Sequence, residues 1–216
     1  MSASYSGNNA AKAGKIVNIL KARFGEIPWW PGDTEEVMIG AILTQQTRWE
    51  NVEQALQLLK ERNLCTMAAL NTADIPAIEA AVRCTGFYRI KTRRLKALAA
   101  FVVETCEGTA GMDTLPTATL RDGLLRVNGI GEETADSILC YGFGRPSFVI
   151  DAYTEHIARC AGITAPRSSL KHLFESVLEE EKTHVYHQAH AHIVEYAKRW
   201  CTKKRCNGCR IMALNG

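Results

Sequence analysis

Residues Val127 to Ala135 read Val-Asn-Gly-Ile-Gly-Glu-Glu-Thr-Ala, and Gly129 and Gly131 stand between two apolar helical patterns. Leu120, Leu124 and Val127 form the pattern before the pair; Ala135, Ile138 and Leu139 form the one after it. A helix cannot run cheaply through such a pair, because glycine is poor in helix interiors and free to take positive φ. The expected structure is a helix-hairpin-helix with Asn128, Gly129, Ile130 and Gly131 in the bend. The start of the second helix then points backbone N–H groups toward an anion. A phosphate of DNA is the natural guest, since phosphate contacts fix register without reading sequence. Asp151 follows sixteen residues after Ala135, at the end of the extended apolar run Ser147-Phe-Val-Ile150.

The elements that must position these residues are helical. Apolar residues recur at helical spacing through most of the 216 residues, and strand alternation is nearly absent. Residues 1–10 read as a frayed tail, and Ala11 to Phe24 as a helix with Ile16, Ile19 and Leu20 on one face. Asp33 followed by Glu36 reads as a capping box that opens a helix through Leu43. Further helices are expected at about 49–61, 74–84, 91–106, 118–127, 132–142, 168–181 and 184–200. Asp151 suits the N-cap of another at 152–161. The reading is an all-α fold.

Composition bounds the function more loosely. The net charge of +3 gives a weak overall field for nucleic acid. The charge is clustered, however, at Arg89, Lys91, Arg93, Arg94 and Lys96 and again at Lys198, Arg199, Lys203, Lys204, Arg205 and Arg210. Taken alone, either cluster reads more simply as a solvated helix face. No eighteen-residue apolar run suggests a membrane span, and the N-terminus lacks an apolar signal core. A cytosolic protein with reduced thiols is expected, nucleoid-associated in a prokaryote. Cys65, Cys84, Cys106, Cys140 and Cys160 read as small buried hydrophobes.

The glycine hairpin, the apolar run and Asp151-Ala-Tyr-Thr-Glu-His-Ile-Ala-Arg together resemble the helix-hairpin-helix DNA glycosylases of the endonuclease III superfamily. The likeness runs from about Glu26 to Cys209. It implies two helical domains with the active site in the cleft between them. A six-helix barrel with the hairpin would span 31–135, and residues 1–30 plus 136–216 would form the second domain with a C-terminal cysteine loop.

In such enzymes positive charge grows on the deoxyribose as the base leaves. A carboxylate beside the sugar stabilises that charge and orients or deprotonates the attacking water. The resemblance gives this part to Asp151. Bifunctional members carry a lysine two residues after the second hairpin glycine, and its amine forms a Schiff base with the sugar. Glu133 stands there, which implies a monofunctional enzyme that leaves the backbone intact. The target base must leave the stack. Gln45 and Gln46 match the segment that plugs the duplex, and Phe87 matches the wedge entering the opposite strand.

Gly40 to Trp49, Trp29-Trp30-Pro31, Gly86-Phe-Tyr and Gly129 to Tyr141 resemble the 3-methyladenine glycosylases of this superfamily. There an aromatic at the place of Trp49 stacks on the extruded base, and the Trp29-Trp30-Pro31 element helps form the pocket walls. An N-alkylated purine is cationic, so tryptophan faces attract it, and it is already a good leaving group. Ordinary core packing is the alternative account of the three tryptophans. The subfamily's lysine near the catalytic aspartate is replaced by His192. Adenine glycosylases carry a glutamate where Ala41 stands and an extra C-terminal domain not expected here.

Cys201, Cys206 and Cys209 resemble the start of the superfamily's iron–sulfur loop, with gaps of four and two residues and Asn215 near the place of a fourth cysteine. A [4Fe-4S] cluster is one expectation. Zinc on three cysteines with His184, His187 or His190, or no metal at all, are the others. The basic residues 203–205 would touch phosphate. The histidines themselves read by default as a solvated helix face.

The combined expectation is a monomeric, monofunctional DNA glycosylase for alkylated purines in base excision repair, acting on double-stranded DNA with a damaged base. Alternatives are a mismatch thymine or uracil glycosylase, or a non-catalytic hairpin module that grips DNA.

Overall fold

The computed structural model describes residues 2–30, 32–178, 183–202 and 206–215. Pro31, expected in a pocket wall, and Lys203, Lys204 and Arg205, expected against phosphate, lie outside the described residues. The fold is all-α. In chain order the helices are α1 (Ser2–Phe24), α2 (Thr34–Leu43), α3 (Trp49–Glu61), α4 (Met67–Thr72), α5 (Ile75–Val82) and α6 (Tyr88–Ala100). They continue with α7 (Thr109–Thr114), α8 (Thr117–Arg126), α9 (Glu132–Ser137), α10 (Ala152–Cys160), α11 (Arg167–Glu175) and α12 (Thr183–Tyr196). A wider π turn extends α6 over Phe101–Thr105, α9 over Ile138–Gly142 and α12 over Ala197–Cys201. The chain divides into two compact units, Trp30–Phe143 and Met1–Trp29 with Gly144–Gly216. No helix among the described residues is long and apolar enough to cross a membrane.

The unit Trp30–Phe143 is built around α2, in which Val37 to Leu43 are all buried. A helix apolar on every side belongs inside a bundle. It packs against α3, α6 and α9 with its extension. Asp33 caps it, accepting the Glu36 N–H at 2.9 Å, as the capping pattern requires. Leu59, Leu95, Leu98, Leu120, Leu124 and Ile138 close the core around it. Two short helices escape sequence periodicity: α4 and α7 have six residues each, under two turns.

The hairpin joins α8 to α9. Gly129 takes φ +88°, and the Ile130 N–H closes the turn on the Val127 carbonyl at 3.1 Å. Arg121 of α8 clasps Asp136 of α9 with two bonds, Nε to Oδ1 at 2.8 Å and Nη2 to Oδ2 at 3.2 Å. This planar fork sets how the two helices leave the bend.

Lys91 of α6 is 1% exposed, and its Nζ donates to the Leu43 and Thr85 carbonyls, both at 2.8 Å. The two acceptors precede the Gln45–Gln46 loop and the Gly86–Phe87 turn, so one side chain staples both. Burial, helped by the nearby Arg94 charge, lowers the Lys91 amine to about 8 from 10.5. A neutral amine keeps two N–H donors, enough for both carbonyls. The unfolded chain therefore binds more protons between about pH 8 and 10.5, and this group's contribution to stability rises with pH across that window. Denaturant unfolding of wild type and Lys91→Met should diverge by up to about 3 kcal/mol between those limits, wild type gaining. Parallel pH dependences would rule out a discharged Lys91.

In the second unit, α1 begins at Ser2, where the sequence suggested a frayed tail. Ala13, Ile16, Val17 and Leu20 of α1 are buried, and the helix packs against α11 and α12. The run Ser147–Ile150 is buried throughout. Phe148 stacks on Phe174 with centroids 4.8 Å apart. Lys171 donates to Ser147 Oγ at 2.8 Å and the Phe148 carbonyl at 3.0 Å, while Glu175 accepts the Phe148 N–H at 3.0 Å. A lysine–glutamate pair on one turn of α11 thus clamps the strand-like segment that delivers Asp151.

Candidate functional site

Asp151 is the N-cap of α10, with extended backbone and Oδ1 accepting the Thr154 N–H at 2.7 Å. Its side chain is only 13% exposed. Oδ2 lies 3.5 Å from Nε2 of His190, on α12. Burial, the largest influence, pushes this carboxyl up, but the His190 charge, the His190 contact and the Thr154 bonds together hold it below the ordinary carboxylate value. The result is a charged carboxylate inside the protein. Burial and the Asp151 charge push the neighbouring Tyr153 phenol up.

Trp29 belongs to this unit and presents its ring edge-on to His190, centroids 6.5 Å apart, with Lys198 Nζ 5.9 Å from its centroid. His192 points elsewhere. Its Nε2 pairs with the Gly25 carbonyl at 2.7 Å and its ring stacks on Phe24 at 5.7 Å. Burial lowers its pKa. Two residues along a helix face different ways, which separates His190 from His192.

The unit Trp30–Phe143 holds an aromatic cluster. Trp30 has positive φ, stacks on Tyr141 at 5.4 Å and meets Trp49 edge-on at 5.3 Å. Trp49 opens α3, half-buried. The indole N–H groups of Trp29 and Trp30 are buried without a hydrogen-bond partner among the described residues. Phe87, at φ +46°, is 61% exposed at the head of α6, and Ile90 one turn on is 41% exposed. Gln45 Nε2 donates to the Gly129 carbonyl and to Thr134 Oγ1, both at 3.1 Å, and Arg94 Nη1 binds Gln45 Oε1. Gln46 is exposed with φ +56°. In the hairpin, Asn128 and Gly131 are exposed, Gly129 is intermediate and Ile130 is buried. Glu133 is exposed in the first turn of α9.

Residues 39–180 match the HhH-GPD superfamily base excision DNA repair protein family. The chain belongs to the HhH-GPD superfamily. A Methanocaldococcus jannaschii protein named as a DNA repair glycosylase is 41% identical over 204 residues, covering 91% of this chain and 92% of its own. Endonuclease III of Thermotoga maritima is 26% identical, covering 82% of this chain and 80% of its own. The H. pylori 3-methyladenine DNA glycosylase, solved with bound 1,N6-ethenoadenine, has a TM-score of 0.78 and 27% identity, covering 87% of this chain and 97% of that one.

One expectation carried by the HhH-GPD resemblance is corrected. Cys201, Cys206 and Cys209 do not make a metal centre: among the described residues, no group of three or more histidine, cysteine or acidic side chains could hold a metal ion. Neither the [4Fe-4S] cluster nor zinc has its ligand set. Cys206 is exposed, and Cys209 Sγ pairs with the Tyr196 hydroxyl at 3.1 Å. Burial raises the Cys201 thiol to about 11, with the Cys160, Cys209 and Cys206 sulfurs adding to the shift.

The structure also gives three residues places that the sequence did not assign them: His190, named there only as a possible zinc ligand, lies against Asp151, Tyr141 lies under Trp30, and Arg94, read there only as one of a basic cluster, binds Gln45. Tyr141 carried a usable signal, lying one helical stretch beyond the hairpin. Nothing in the sequence pointed to the His190–Asp151 and Arg94–Gln45 contacts, which join residues distant along the chain.

Proposed function

We propose that this protein is a monofunctional DNA glycosylase that hydrolyses the N-glycosidic bond of damaged bases in duplex DNA, alkylated purines such as 3-methyladenine foremost. The observation that carries the reading is Asp151, a largely buried carboxylate held in its charged form with Oδ2 outside the helix cap. That is the group needed where positive charge grows on a sugar. Asp151 stabilises the sugar cation and orients the attacking water. The faces of Trp49 and Trp30 take a cationic base. The 27% identity to the H. pylori 3-methyladenine enzyme supports the alkylated-purine class.

Gln45, Gln46 and Phe87 enter the duplex as the base leaves it, and the Asn128–Gly131 bend holds a phosphate. Glu133 at the hairpin carries no amine, so no Schiff base forms there. A DNA substrate fits a cytoplasmic protein, nucleoid-associated in a prokaryote. A panel of duplexes with different damaged bases tests the reading, each scored for released base and for covalent adduct under borohydride. Release of 3-methyladenine without adduct is the expected result. Release of thymine or uracil alone moves the assignment to a mismatch enzyme, and a strong adduct overturns monofunctional chemistry.

A further inference from the structure

The Asp151 carboxylate has a different neighbour on each oxygen. The Thr154 N–H holds Oδ1 from within α10 at 2.7 Å. Oδ2 faces His190 of α12 at 3.5 Å, within ion-pair range, and the His190 side chain is only 7% exposed. The imidazole cannot easily turn away. Phe148 meets it edge-on at 6.2 Å and Trp29 at 6.5 Å, with interplanar angles of 87° and 84°. A carboxylate tied at one oxygen still rotates about its own axis, and a fixed group at the second oxygen removes that freedom.

We propose that His190 is a positioning residue for base release, setting the plane of the Asp151 carboxylate from the Oδ2 side and sustaining its charge. The proposal rests on the glycosylase reading of Asp151. Burial alone would push this carboxyl up, and His190 supplies the largest opposing influence. The other titratable groups around it do not replace that influence. Tyr153 lies on Asp151's own helix and is itself pushed up. Lys171 and Glu175 of α11 pair at 2.8 Å and hold the Ser147–Phe148 backbone. His192 of α12 is turned to Gly25.

The test uses the full chain and a lesion that the wild type accepts, comparing wild type, His190→Gln and His190→Leu. Single-turnover base release is followed from pH 5 to 8, and the Asp151 carboxyl is titrated by carbon NMR. His190→Leu should lower the maximal rate about tenfold with little change in KM. Its activity should also fail on the acid side at a pH about one unit higher than in wild type, because the carboxylate has lost the His190 contact that opposes its burial. His190→Gln keeps an uncharged N–H donor, so it should recover most of the rate at pH 8 but not the acid tolerance. In both variants the Asp151 carboxyl should titrate at higher pH than in wild type. Acid limbs and carboxyl titrations that superimpose on wild type overturn the role of His190. A wild type that releases no base overturns the glycosylase reading instead, and the carboxyl titration still decides what His190 does to Asp151.

Discussion

Asp151→Asn should lose base release by about three orders of magnitude, the scale expected when a charge aimed at a developing transition-state charge is removed. The variant should still fold and still bind duplex. Asparagine is as good an N-cap as aspartate, and its carbonyl oxygen accepts the Thr154 N–H in the same geometry. The small stability difference has a sign. The Asp151 carboxyl is held below its ordinary value in the folded chain, so it stabilises the fold at neutral pH. That contribution fades as pH falls through the carboxylate range, and the variant lacks it throughout. Released base in single-turnover assays and duplex affinity by anisotropy separate the two effects. Near-normal release by Asp151→Asn would remove Asp151 from the chemistry.

Gly129→Ala should damage both fold and DNA grip, whereas Gly131→Ala should damage at most the second. Gly129 has φ +88°, where an L side chain is strained, and an added Cβ would overlap the Arg94 side chain. Arg94 binds Gln45, which in turn binds the Gly129 carbonyl and Thr134. Displacing it therefore loosens the loop expected to enter the duplex along with the bend expected to hold a phosphate. A loss of about 2 kcal/mol and at least about a tenfold weaker duplex affinity are expected. Gly131 has φ −96°, and nothing lies within 4 Å of a Cβ placed there. Its alanine variant should melt like wild type, so any loss of affinity reports the strand's approach to the bend. Equal melting and equal affinity for Gly129→Ala would remove the hairpin from DNA binding.

Much of the fold was legible because the deciding forces are local. Asp33 with Glu36, the Gly129–Gly131 pair and Asp151 before Ala152 each specify a cap or bend within a few residues, and the structure has α2, the hairpin and α10 where those signals stand. The short α4 and α7 were not legible, since six residues do not complete a periodic pattern. The histidines of α12 show a second limit. Spacing places His190 and His192 on different sides of the helix, but it cannot say which side the Ser147–Asp151 run will meet. The cysteines show a third. Their order along the chain suggested a ligand loop, yet ligation depends on where sulfur atoms point, and the Tyr196 hydroxyl meets Cys209 instead.

The unit Trp30–Phe143 interrupts a second unit made from both ends of the chain. Its first and last turns are tied together, with Trp30 stacked on Tyr141 and Thr34 Oγ1 donating to the Gly142 carbonyl at 2.8 Å. A long insertion whose extremities meet acts on its host as a brief tether, because the entropy of closing a loop depends on the distance its ends must span. The outer segments can thus associate almost as if they were consecutive. The indole that secures this seam is also one expected to grip the base, so architecture and recognition draw on the same ring.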